Sequence, residues 1–191
     1  MIRVALLDDH PALRAGLTTV LQAEPGLVPV GAAGDAAAFW PMLHRTRPDL
    51  VLLDYHVPGD STLALCHELK SRPTAPAVVM YSAYADASLG VLARLAGADG
   101  VVHKGARAPE LFETLRRIHA GEQLLPPLSP SAIAEVAGEV DADDRPLIGL
   151  LLHGTPTREI AEVLHQDPKT VRRRIDGLLR DLAREPVLPT A

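Results

Sequence analysis

At 191 residues the chain is long enough for one large domain or two small ones. Hydrophobic residues make up 47% but aromatics only 3%, so the core has to be built from Val, Leu, Ile and Ala. A net charge of −5 excludes wholesale coating of nucleic acid but leaves room for a local basic face, and the single cysteine, Cys66, excludes an intrachain disulfide and suits a reducing cytoplasm.

The opening residues, MIRVALLDD, run straight into charge and carry no secretory pattern. No apolar run approaches the roughly 20 residues needed to cross a bilayer, so the expectation is a cytoplasmic protein with no membrane partner. Strand-like runs follow at residues 2–7, 28–33, 50–53, 77–81 and 100–103. Between and after them lie Ala- and Leu-rich stretches with helical spacing at 11–23, 35–47, 61–71, 86–96 and 109–120. Pro11 suits a first helical position, and Asp35, Ser61 and Asp86 suit caps. Strict alternation of strand and helix implies right-handed crossovers and a parallel sheet. The predicted fold is therefore α/β, a flavodoxin-like, doubly wound, five-stranded sheet over residues 1–120.

The third strand-like run is apolar throughout and ends abruptly in Asp54, after which Pro58-Gly59 forces a loop. Asp8 and Asp9 end the first strand, Ser82 the fourth and Lys104 the fifth. In the order 2-1-3-4-5, familiar from other flavodoxin-like sheets, these five side chains converge on one crevice at the carboxyl ends of the strands. Crowded carboxylates demand a compensating cation, and oxygen-only ligands favour Mg²⁺. An ionised carboxylate needs no general base to attack phosphorus. Phosphoryl transfer then requires mainly positioning and charge neutralisation, with Lys104 and the Ser82 hydroxyl available to phosphoryl oxygens. Any one of these residues alone reads as a turn, cap or surface group; five at five strand ends read as a site.

This set, LLDDH, LLDYHVPG, MYSA and VHKGA, resembles the receiver domain of two-component response regulators. The resemblance implies that Asp54 accepts phosphate from a sensor histidine kinase, and that Asp8, Asp9, Asp54 and the His56 backbone carbonyl surround Mg²⁺. It also implies that Ser82 and Lys104 report phosphorylation. The chain departs from the pattern at Val101, a position where such receivers commonly carry a Tyr or Phe that swings inward.

Residues 121–139 read as a linker, with Pro126, Pro127 and Pro130 followed by a short helix near 131–138. The segment 140–185 is helical in pattern and ends in a Pro-containing tail at 186–191. Within it a helix near 157–164 is followed by a tight turn at 165–167 and a second helix opening at Pro168. Val171, Ile175, Leu178, Leu179 and Leu182 form the inner face of that second helix, and Lys169, Arg172, Arg173 and Arg174 crowd its first half. Two helices joined by a tight turn, the second basic, read as a helix-turn-helix that enters the major groove. Lys and Arg reach guanine or phosphate, and Thr170 reaches base or phosphate.

The segment from Gly154 to Leu182 resembles the LuxR-type output domain of NarL/FixJ regulators, carried best by Glu159-Ile160-Ala161, Leu164 and Lys169-Thr170-Val171. By that resemblance Lys169, Thr170, Arg172 and Arg173 face double-stranded DNA, and Asp176 stands where such domains often have a polar or basic residue. Such domains usually carry one more helix after this point, used for pairing; here receiver or linker is expected to supply the homodimer contact on phosphorylation. The function expected is a phosphorylation-controlled transcriptional regulator, with no enzymatic activity beyond its own phosphorylation and dephosphorylation. Two rivals fit parts of the sequence: a phosphate sink or interaction module whose output unit no longer binds DNA, and a small phosphatase with an aspartyl intermediate, which leaves the basic helix unexplained.

Overall fold

The computed structural model describes residues 1–59 and 61–183. Five strands, β1 (Ile2–Leu7), β2 (Leu27–Ala33), β3 (Leu50–Asp54), β4 (Ala77–Ser82) and β5 (Gly100–His103), alternate with helices α1 (Pro11–Ala23), α2 (Ala36–Thr46), α3 (Thr62–Lys70), α4 (Ala87–Ala96) and α5 (Ala108–His119). The strands are all parallel, as the alternation predicts, and lie in the flavodoxin-like order β2-β1-β3-β4-β5. Pro29, which cannot donate to a ladder, sits on the edge strand β2, where the β1–β2 register slips between Val4 and Ala5. The caps expected at α2, α3 and α4 form: Asp35 accepts from the Ala38 amide, Ser61 from Ala64 and Asp86 from Leu89.

Because successive side chains of a strand point to opposite faces, the sheet feeds two cores. Val4, Leu6, Leu50, Leu52, Val79 and Tyr81 pack under α1 and α5, against Leu17, Leu21, Phe112 and Leu115. Ala5, Leu7, Val51, Leu53, Val78 and Met80 face α2, α3 and α4, against Phe39, Leu63 and Val91. β3 is buried along its whole length, as a central strand covered on both faces must be.

The second core does not stop at the sheet. It continues through α6 (Pro130–Gly138), α7 (Arg145–Leu152), α8 (Thr157–Val163) and α9 (Pro168–Leu182), whose Val136, Leu147, Ile160, Val171, Ile175 and Leu179 belong to the same cluster. α6 and α7 pack on α4, and α9 packs on α3 and α4. The proline-rich stretch is thus no free tether. A Cβ on Gly90 of α4 would lie 2.8 Å from the Pro126 ring, so the absence of a side chain there lets the chain cross α4 at close range. Ser88 Oγ donates to Glu135 of α6 at 2.8 Å. With these elements in place, α4 is buried from Ser88 through Ala93 and again at Leu95 and Ala96.

In the C-terminal unit Asp167 caps α9, accepting from the Lys169 and Thr170 amides, and Pro168 takes the first position as expected. The tight turn bends through His165 in the left-handed region, φ 52°. At α8, Pro156 rather than a hydroxyl residue occupies the cap and makes no side-chain bond; Thr157 is already helical. The tail 186–191 lies outside the described residues.

Leu115 is fully buried between α5 and the sheet, well away from the strand ends. Leu115→Ala is expected to lower unfolding free energy by about 2–5 kcal/mol through lost transfer energy and a residual cavity. Urea denaturation followed by circular dichroism measures this, and a loss under about 1 kcal/mol contradicts the packing described.

Candidate functional site

The carboxyl ends of β1, β3, β4 and β5 meet at one crevice, and the five residues expected there are brought together by the sheet order alone. Asp54 is the last residue of β3 and, like Asp8, is 2% exposed. Lys104, one residue past β5, bridges the two: its Nζ donates to Asp54 Oδ2 at 2.7 Å and to Asp8 Oδ2 at 2.8 Å. The backbone holds each carboxylate in turn. The His10 amide donates to Asp8 Oδ1 at 2.7 Å, and the His56 amide donates to Asp54 Oδ1 at 3.2 Å. Lys104 is itself anchored by its amide bond to the Ser82 carbonyl, and its own carbonyl accepts from the Tyr81 hydroxyl. The Ser82 side chain, 1% exposed as a residue, accepts from the Tyr84 amide.

The electrostatics follow from this geometry. Burial raises the Asp54 pKa above the usual carboxylate value, a trend opposed by its hydrogen bond to Lys104 and by the His56 amide. Burial works to lower the Lys104 pKa, but the carboxylates of Asp54 and Asp8 outweigh it and the ammonium is held above its ordinary value. One cation thus faces two buried acids, with Asp9 beside them.

Ligand atoms of Asp8, Asp9, His10 and Asp54 all lie within 4.8 Å of one another. His10 Nδ1 approaches Asp9 Oδ1 to 2.7 Å without hydrogen-bond geometry, leaving that buried oxygen without a hydrogen-bond partner. An under-satisfied carboxylate oxygen beside two more carboxylates is the donor set of a hard divalent cation, so the residues fit one.

Val101 does not reach this crevice. It packs against the α2–α3–α4 core, and its amide donates to the Leu124 carbonyl. Tyr84 is 51% exposed.

The basic residues of α9 separate into three environments. Lys169 and Arg173 are exposed, with Arg173 donating to the Thr170 hydroxyl. Arg172 turns toward α3 and lines a cleft against the receiver. Arg174 faces inward: its guanidinium pairs with Asp144 at 2.5 Å and donates to the Gln166 side chain and the Asp143 carbonyl. Its expected place among DNA-facing residues is therefore revised to that of a clamp between α9 and the start of α7. Helical spacing carried the signal, since Arg174 lies three residues past Val171 and four before Leu178, beside the inner face. A contact that the sequence reading missed joins the two units: Ser61 Oγ, while capping α3, donates to the Leu179 carbonyl of α9 at 3.1 Å.

A parallel five-stranded sheet with an acid pair, a central aspartate, a hydroxyl and a lysine at its switch point defines the class of receiver domains. Residues 4–116 match the family model of the response regulator receiver domain. The chain is 32% identical over 195 aligned residues to the DNA-binding transcriptional activator DevR/DosR of Mycobacterium tuberculosis, covering 97% of this chain and 90% of that one. It is 27% identical to the nitrate/nitrite response regulator protein NarL of Escherichia coli, over 94% of this chain and 88% of that one. Among solved structures, a LuxR-family two-component response regulator from Aurantimonas sp. SI85-9A1 superposes with a TM-score of 0.61 at 28% identity, over 73% of this chain and 97% of that one. The chain belongs to the response regulators, in the NarL-like group that joins a receiver to a helical output unit. No helix of the described residues is long and apolar enough to cross a membrane.

Lys104 competes with any added cation for Asp8 and Asp54. Asp9→Asn is expected to weaken divalent-cation binding by about tenfold or more, the worth of a charge-assisted contact, whereas Lys104→Ala is expected to strengthen it. Isothermal titration with Mg²⁺ reads both. Binding should also fall as pH drops through the Asp54 value, which burial raises above the usual carboxylate range, because the proton and the metal compete for one carboxylate. An unchanged affinity in both variants contradicts the assignment of these oxygens.

Proposed function

We propose that this protein is a phosphorylation-controlled, DNA-binding transcriptional regulator of a two-component system, with Asp54 as phosphoacceptor. The observation that carries the reading is the Asp54 carboxylate held by Lys104 beside Asp8 at the end of a buried strand. The Asp54 carboxylate oxygen forms a bond to phosphorus while the phosphorus–nitrogen bond of the sensor kinase's phosphohistidine breaks, and the histidine, already protonated on its other ring nitrogen, leaves as neutral imidazole with the bonding electron pair. Lys104 is positioned to follow one phosphoryl oxygen and the Ser82 hydroxyl to follow another, with no proton to remove from the nucleophile. Mg²⁺, held by Asp8, Asp9, Asp54 and the His56 carbonyl, supplies neutralisation of phosphoryl-oxygen charge when bound.

The new group adds a charge of about −1.5 to −2. It draws Lys104 away from Asp8, and the β4–α4 end that carries Ser82 responds. That end lies next to the packing that docks the output unit: α4 under α6 and α7, and Ser61 tied to Leu179. Because Arg172 faces the receiver in the docked arrangement, the helix cannot present its whole basic surface to a groove until α9 separates. Lys169, Thr170, Arg172 and Arg173 then meet double-stranded DNA, and phosphorylated copies pair as a homodimer. The phosphate-sink alternative gains nothing from the relatives, since DevR/DosR bears the name of a DNA-binding activator.

Binding of a labelled duplex library, followed by fluorescence anisotropy at two salt concentrations, tests this directly. Affinity is expected to rise on treatment with a small-molecule phosphodonor in wild type, to stay at the basal level in Asp54→Ala, and to show a shallower salt dependence, by about one in log–log slope, in Arg173→Ala. Phosphodonor-dependent labelling that survives in Asp54→Ala overturns the acceptor assignment, and salt-independent binding in every state overturns the assignment of α9.

A further inference from the structure

Between the receiver and α9 lies a cleft of about 380 Å³ that the phosphorylation chemistry does not use. Its floor and one wall come from α2 and α3, including Trp40 and His67; the opposite wall is the α9 face bearing Arg172, Asp176 and Arg180. These three recur every fourth residue, so they stand in one row along the helix. At roughly 30 Å³ per water the space exceeds what one or two structural waters fill, and it falls in the size range of small-molecule sites.

The polar groups around the cleft are under-used. His67 is only 9% exposed, yet its Nε2 has no hydrogen-bond partner. A buried ring nitrogen without a partner is costly unless something else supplies one. Its ionisable neighbours are Glu68 and Arg72 on its own side and Arg172, Asp176 and Arg180 across the cleft. Burial is the main influence that lowers its pKa, leaving the ring neutral and able to donate or accept. Of the guanidinium groups, Arg72 is committed: it stacks on Trp40 at 4.4 Å from the ring centroid and lies 3.7 Å from Glu68. Among the described residues neither Arg172 nor Arg180 makes a hydrogen bond or ion pair, and Lys70, the other cation of α3, is spent on Asp99. The cleft therefore offers two guanidinium groups, a buried imidazole nitrogen and an indole surface, set against the carboxylates of Glu68 and of Asp176, which lies between the two arginines on α9.

We propose that this cleft binds a small organic anion, a carboxylate or a phosphate-type group on a flat apolar body, and that such a ligand holds the output helix against the receiver. The anionic oxygens meet Arg172, Arg180 and His67, and the apolar body lies along Trp40. Since the walls belong to both units, the site exists only while they are docked, so the ligand selects that state and opposes whatever requires α9 to leave it. The binding site stands on the cleft alone; its coupling to DNA rests on the reading of α9 given above.

Trp40 is the only tryptophan in the chain, so its fluorescence reports on the cleft without a label. The full-length wild-type protein, free of Mg²⁺, is titrated with benzoate and with phenylphosphonate, which cannot transfer a phosphoryl group; benzyl alcohol serves as the uncharged control. A saturable change is expected with at least one anion and none with the alcohol, and the anion that binds tighter identifies the head group. Arg172→Ala, an exposed substitution that spares the fold, and His67→Phe should each weaken binding by about tenfold, the worth of one charge-assisted contact, with partial recovery in His67→Gln. The absence of saturation with either anion up to about 50 mM, a concentration far weaker than any useful site needs, overturns the proposal, as does undiminished affinity in Arg172→Ala and His67→Phe. The same anion added to the duplex-binding measurement separates the two layers. Weakened DNA binding supports the coupling, unaltered DNA binding overturns the coupling while the site stands, and no DNA binding in any state instead defeats the reading of α9.

Discussion

One ammonium group stands between two buried carboxylates, and much of the molecule is arranged to keep it there. Without Lys104, Asp8 and Asp54 would face each other at the ends of adjacent parallel strands, desolvated and mutually repelling. The sheet supplies the constraint: β1 and β3 are hydrogen-bonded neighbours, and Lys104, just past β5 and bonded to Ser82 of β4, reaches the pair with its side chain. The Ser82 carbonyl holds the Lys104 amide at 2.7 Å, so the lysine and the hydroxyl residue are mechanically one unit. Any charge that competes for this ammonium or for the two carboxylates must move that unit.

The second constraint is the shared core. The helices after the sheet do not form an isolated bundle; their inner residues belong to the cluster that also contains Leu53, Leu63 and Val91. That arrangement makes α4 a nearly sheathed helix, covered by α6, α7 and α9 and crossed by Pro126 over the bare Cα of Gly90. Close-packed surfaces of this kind rearrange between discrete packings rather than deforming continuously. The same docking makes the cleft between α2, α3 and α9, so its walls come from both units.

β5 carries no Phe, Tyr or Trp and is tied through its backbone to the segment after α5. Val101, where a ring would swing, is packed into the core and pairs through its amide with residue 124 in the segment leading to α6. The segment leading to α6 is thus tied to β5 by backbone hydrogen bonds, the Leu124 amide donating to the Asp99 carbonyl and the Val101 amide to the Leu124 carbonyl.

Read alone, the sequence determined the parallel sheet and the caps at Asp35, Ser61 and Asp86, which follow from local periodicity and from the handedness of crossovers; the order that brings Asp8, Asp9, Asp54, Ser82 and Lys104 together came by analogy with other flavodoxin-like sheets. It also placed α9, since an inner face spaced every three to four residues behind Pro168 admits one register. What it left open was decided by surfaces that meet only after each unit has formed. Ser61 was legible as a cap but not as a donor to Leu179, 118 residues away. Arg172, Arg173 and Arg174 are adjacent in sequence, yet one faces a cleft, one solvent and one Asp144, because a turn of 100° per residue sends neighbours to different partners and only the docked fold says what those partners are.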